Sequence, residues 1–204
     1  MTSCVLYVHG RGGSAAEAEH YRPLFPDSEV VGLDYKTFTP WETGAEIAEA
    51  AASLRERFDR VILVANSIGA YYSMCAGIDA LIERAYFISP IVDMERLIVD
   101  MMSAARVTEA ELEERRTVPT DFGETLSWEY LSYVRAHPVS WNAPTAILYG
   151  GRDGLTSLET VRAFAAQTGA SLTVMDGGEH WFHTPEQMRF LDEWITGDKV
   201  PQDK

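Results

Sequence analysis

The chain has 204 residues, enough for one sizeable domain and short for two. Hydrophobic residues at 46% and charged residues at 24% give the balance of a globular protein rather than of a disordered or membrane-embedded one. A formal net charge of −14 argues against nucleic acid, and against an anionic membrane surface, as partners.

Taken in chain order, short apolar runs alternate with helical patterns. Residues 4–8 form the first strand candidate, and His9-Gly10-Arg11-Gly12-Gly13-Ser14 follows it. A helix is predicted over 14–22, a strand over 30–33 and a long helix over 41–58. The run 61–65 is β-branched, continuous and short, as in a strand buried on both faces of a parallel sheet. After Ala65-Asn66-Ser67-Ile68-Gly69 the composition changes to that of a packed helix over 68–76, so Ser67 falls at a strand-to-helix junction flanked by small residues. Strands over 85–89, 145–149 and 171–175 and helices over 157–168 and 185–196 complete the alternation. Such a pattern implies βαβ units, and the predicted fold class is α/β, with a mostly parallel six-stranded sheet and helices on both faces. The polar tail 197–204 is expected to fray.

One interval breaks the rhythm. Residues 93–142 separate two strand candidates by about twice the length that a simple crossover needs. Leu97, Ile98, Met101, Met102 and Ala105 make one helical apolar stripe, and Thr108-Glu109-Ala110-Glu111 has the form of a capping box. Leu126, Tyr130, Tyr133 and Val134 make a third stripe. The expectation is a helical cap inserted within a single domain spanning 1–204.

Cys4 and Cys75 lie far apart, form no CxxC pair and sit in or beside apolar runs, so both read as reduced, buried thiols. The start MTSCVLYVHG lacks a basic region, and its apolar run is too short for a signal sequence. No stretch approaches ~18 apolar residues, so no membrane span is expected, and the expected location is the cytoplasm. No dinucleotide fingerprint, P-loop or zinc signature appears; no cofactor and no metal are expected.

In open parallel sheets ligands bind beyond the carboxyl ends of the strands. The third strand is followed there by Ser67, the fifth by Gly150-Gly151-Arg152-Asp153 and the sixth by Asp176-Gly177-Gly178-Glu179-His180. A serine, an acid and a histidine therefore fall along one sheet edge. The His-Gly-x-Gly turn, the small-x-Ser-x-Gly junction, the Gly-x-x-Asp and the histidine after Gly178, in this order, resemble the α/β-hydrolase superfamily over essentially the whole chain.

That resemblance implies a compact version beginning at the family's third strand, with Ser67 as nucleophile, His180 as base and Asp153 as the acid that orients it. It also implies an oxyanion hole from the backbone N–H groups of Ile68 and Arg11. The chain departs from the family pattern in lacking two leading strands, in carrying Ala65 where glycine is commoner, and in lacking a proline after Asp153. Asp93 is an alternative acid and His183 an alternative base; His180 and His183 are too few ligands for a metal. His9 is read as a brace for the oxyanion loop. His20 and His137 are read as surface or packing residues. Met101, Met102, Trp128 and Tyr130 are candidate substrate-binding residues of the cap. The reading favours a serine hydrolase of small acyl esters or thioesters, with a non-catalytic binding module, or cleavage of an amide or carbon–carbon bond, as alternatives.

Overall fold

The computed structural model describes residues 1–198. In chain order it contains β1 (Ser3–Val8), a run of 3-10 turns (Ala15–Leu24), β2 (Glu29–Gly32), α1 (Pro40–Arg57), β3 (Arg60–Asn66), α2 (Ile68–Cys75) and β4 (Arg84–Ile88). There follow α3 (Met94–Ala105), α4 (Glu109–Arg115), β5 (Thr117–Pro119), β6 (Thr125–Ser127), α5 (Trp128–Ala136), β7 (Thr145–Gly150), α6 (Leu158–Thr168), β8 (Ser171–Met175) and α7 (Pro185–Asp198). Of the tail expected to fray, Gly197 and Asp198 close α7, and residues 199–204 lie outside the described residues.

The chain divides into two compact units. The first, residues 1–92 and 140–204, contains a six-stranded sheet of order β2-β1-β3-β4-β7-β8 in which every adjacent pair is parallel. β1, β4 and β7 owe their uninterrupted apolar sequences to burial on both faces. Val5, Tyr7, Val64, Tyr86, Ile88 and Leu148 point to one face, where they pack with Tyr21 and Phe25 of the first crossover and Leu191 and Ile195 of α7. α1 and α2 pack on β3, with Ile47, Ala51 and Leu54 of α1 buried. Thr39 caps α1 by accepting from the Glu42 amide, and Pro40 occupies the first turn, where its missing N–H costs nothing. Burial pushes the thiols of Cys4 and Cys75 up to about 11.

The second unit is Asp93–Val139. Thr108 caps α4 by accepting from the Glu111 amide; the Glu111 carboxylate pairs with Arg115 at 2.7 Å rather than closing the box on the Thr108 amide. Arg135 of α5 ties this unit together through ion pairs with Glu95 at 2.7 Å and Glu109 at 2.6 Å. One local reading is corrected here. Leu126 belongs to β6, not to a helix; β5 and β6 form an antiparallel hairpin, and α5 starts only at Trp128, capped by Ser127. Three-residue strands are too short to show a period of two, and the hairpin turn, held by Thr120 Oγ1 donating to Glu124 O at 2.7 Å, is a local hydrogen-bonding feature that hydropathy does not register. Among the described residues no helix is long and apolar enough to cross a membrane.

Candidate active site

Ser67 stands between β3 and α2 with φ 51° and ψ −120°. A non-glycine residue there is strained by about 1–3 kcal/mol, so its surroundings must hold it. They do so through the backbone: Ser67 N donates to Ile88 O at 2.9 Å, and Ser67 O accepts from Ala70 N and Ile91 N, both at 3.2 Å. The small residues around the serine have a steric cause. A Cβ on Gly69 would lie 2.5 Å from His9 O and 2.6 Å from Val8 O, so the start of α2 touches the backbone at the end of β1. Ala65 is fully buried, and its methyl is accommodated. Gly69→Ala is accordingly expected to destabilise the fold by roughly 1–3 kcal/mol, measurable as a lowered midpoint of urea unfolding. A neutral result would mean that this approach relaxes without strain.

Two other strand ends complete the arrangement. Ser67 Oγ lies 2.7 Å from His180 Nε2, and His180 Nδ1 lies 2.6 Å from Asp153 Oδ2. The Asp153 side chain is fully buried. Its other oxygen accepts from Leu155 N at 2.8 Å and Thr156 N at 3.3 Å, while Tyr149 Oη donates to Thr156 O at 2.8 Å and anchors that loop. The loops after β7 and β8 bind each other directly, with Arg152 N donating to Gly178 O at 2.8 Å and Gly151 N to Met175 O at 2.8 Å. These bonds fix the distance between acid and imidazole.

By sequence the chain matches no protein-family model and no curated protein. Solved structures do match it. Est1E from Butyrivibrio proteoclasticus aligns with a TM-score of 0.74 at 17% identity over 98% of this chain and 88% of its own. Alpha/beta hydrolase domain-containing protein 10 from mouse aligns with a TM-score of 0.72 at 15% identity, over 96% and 90%. An esterase of Pyrococcus furiosus gives 0.63 at 20% identity, over 97% and 80%. The chain has the α/β-hydrolase fold.

The positive φ of Ser67 falls in the strand-to-helix turn after β3. The amide of Ile68 is the first of α2. The amide of Arg11 lies in the turn after β1, which Gly13 N closes by donating to Gly10 O at 3.1 Å. His9 braces this turn: its Nδ1–H donates to Gly10 O at 2.8 Å, its ring stacks on Tyr35 at 4.2 Å, and Tyr35 Oη donates to His9 O at 3.0 Å.

The other candidates are engaged elsewhere. Asp93 caps α3, its Oδ1 accepting from Arg96 N at 2.9 Å. His183 Nδ1 donates to Trp181 O at 2.6 Å, and its ring stacks on that indole. His20 pairs with Asp192 at 2.7 Å, and His137 Nδ1 donates to Tyr133 O at 2.9 Å. Among the described residues no cluster of three or more His, Cys, Asp or Glu could hold a metal ion.

A cavity of about 660 Å³ opens beside Ser67 and His180, a size suited to a small molecule. Its walls include residues 10–13, Glu17, Tyr21, Leu155 and Trp181, the indole being 72% exposed. All the lining residues belong to the first unit; Met101 and Met102 lie on α3, and Trp128 and Tyr130 on α5. Sequence reasoning does not reach Tyr7, Glu17, Tyr21 or Asn66 as wall residues. Tyr7 and Tyr21 read as core, and only their neighbours in space reveal the cavity.

Proposed function

We propose that this chain is a serine hydrolase that cleaves small acyl esters or thioesters through an acyl-enzyme intermediate. The observation that carries the reading is the unbroken hydrogen-bonded chain from Ser67 Oγ through His180 to the buried Asp153. A serine hydroxyl is a weak nucleophile at its free pKa and needs a base within hydrogen-bond reach. In this reading His180 Nε2 takes the Ser67 proton as Oγ attacks the acyl carbon, then delivers it to the departing oxygen or sulfur. Asp153 holds Nδ1–H, which leaves Nε2 unprotonated and facing the serine, and its charge stabilises the imidazolium that forms. Water repeats the sequence on the acyl-enzyme, its proton passing to His180 and on to Ser67 Oγ. The Ile68 and Arg11 amides receive the oxyanion, as backbone donors fixed before the reaction begins.

The name of the Pyrococcus furiosus structure, an esterase, supports the ester class. The cavity volume supports a small acyl group. Across p-nitrophenyl esters from acetate to palmitate, kcat/KM is expected to be highest for the short chains. Rates rising steadily to palmitate would replace this reading with a lipid hydrolase, and absence of turnover at every length would favour a binding module. Met101, Met102, Trp128 and Tyr130 are proposed to tune that preference. The same ester series run on their alanine variants tests it, an unchanged chain-length profile in all four counting against the assignment.

A further inference from the structure

One wall of the cavity has no part in the reaction steps above. Asn66, next to the nucleophile in sequence, donates from Nδ2 to Tyr7 Oη at 2.9 Å, and Tyr7 Oη donates to Glu17 Oε2 at 2.5 Å. Burial, reinforced by the nearby Tyr21 phenol and by the bond to Glu17, pushes the Tyr7 pKa far up, so the phenol keeps its proton and the carboxylate must accept. The second carboxylate oxygen, Oε1, accepts from Ser14 N at 3.2 Å. A Cβ on Gly13 would lie 2.8 Å from Oε1 and 3.0 Å from Oε2, so the carboxylate rests directly against the backbone of the turn that follows β1. Asn66, Tyr7 and Glu17 line the same cavity as Ser67.

The bonds of this chain all run in one direction and end on the Glu17 carboxylate. A carboxylate offers about four acceptor positions; Tyr7 and Ser14 fill two of them. A carboxylate on the cavity wall with acceptor positions left over favours a ligand that brings donors over an apolar one of the same shape. The imidazole of His20, on the same wall, is already held by Asp192.

We infer that Glu17 is a specificity-determining residue, selecting substrates that carry a hydroxyl or an ammonium group near the scissile carbonyl. The inference rests on the reading of Ser67 as nucleophile, and it replaces a purely apolar acyl group with one bearing a donor. Tyr7 and Asn66 are positioning residues, acting through the carboxylate. The net charge of −14 favours the approach of a cation, which strengthens the ammonium arm.

Three methyl esters of one shape test this: butyrate, 3-hydroxypropionate and β-alaninate, which end in CH3, OH and NH3⁺. The quantity read is kcat/KM of each donor ester divided by that of butyrate. In the wild type at least one ratio is expected to exceed one by roughly tenfold, the effect of a charge-assisted hydrogen bond. Glu17→Leu brings the ratio to one or below. Glu17→Gln keeps a carbonyl acceptor without charge; it retains a preference that comes from a hydroxyl and loses one that comes from an ammonium group. If Glu17→Leu does not fold, the ammonium ratio in Glu17→Gln decides. Fluorophosphonate labelling of Ser67, scored separately, reports on the underlying reading, and its absence overturns both. Labelling together with a flat series, including one without turnover, or with a ratio that Glu17→Leu leaves in place, overturns the role of Glu17 alone.

Discussion

Replacement of Ser67 by alanine is expected to abolish labelling by a fluorophosphonate probe and to lower kcat by roughly 10³-fold or more, about 4 kcal/mol of transition-state stabilisation. The substitution removes one oxygen and leaves the Cβ, so the steric demands at φ 51° are unchanged. The backbone bonds from Ser67 N to Ile88 O and from Ile91 N to Ser67 O are indifferent to the side chain. The thermal midpoint therefore stays close to that of the parent, and loss of reaction can be read as loss of the nucleophile. Full labelling of the alanine variant would place the reactive group elsewhere and remove the basis of the proposed function.

Asp153→Asn should cost on the order of 10⁴ in kcat, and the geometry gives the reason. The two carboxylate oxygens have different tasks: Oδ1 accepts the Leu155 and Thr156 amides, and Oδ2 faces His180 Nδ1. An asparagine in the same place keeps its carbonyl toward the two amides, which turns its NH2 group toward the imidazole. Nδ1 must then accept, the ring proton moves to Nε2, and a donor faces the Ser67 hydroxyl. The fold is retained while the base is blocked. Asp93→Asn, by contrast, exchanges one good helix cap for another and should leave kcat within about twofold; His183→Ala should matter far less than His180→Ala. A larger loss from Asp93→Asn than from Asp153→Asn would move the acid to the loop after β4.

Much of this site was legible because its residues mark the ends of strands. The uninterrupted runs around Leu6, Val64 and Leu148 show parallel strands buried on both faces, and in such a sheet whatever follows a strand lies on the same edge. Ser67, Asp153 and His180 could be put on that edge from sequence order alone, and the hydrogen bonds join those three. The polar wall was not legible. Tyr7 lies in the middle of an apolar strand and reads as core, which it also is. Its hydroxyl finds Glu17 ten positions away and Asn66 fifty-nine away, separations that no local pattern encodes. The β5–β6 hairpin was hidden for the opposite reason: its strands are too short to carry a period.

The place where the second unit enters the chain has a consequence for how such a protein can change over time. The segment leaves after β4 and returns before β7, and these two strands are hydrogen-bonded neighbours, with Ile88 opposite Leu148. Its two ends are therefore held by the sheet, one at the carboxyl end of β4 and the other at the amino end of its parallel neighbour β7, whatever lies between them. The entropy of closing a loop grows only with the logarithm of its length, so that doubling the connection costs about 0.6 kcal/mol. Lengthening, shortening or recomposing this one connection is nearly neutral for the sheet, while the loops bearing Ser67, Asp153 and His180 stay fixed by their own bonds. Variation in the insertion and constancy of the Ser67, His180 and Asp153 arrangement are thus thermodynamically separable, and descendants of one such chain can diverge in the first without rebuilding the second.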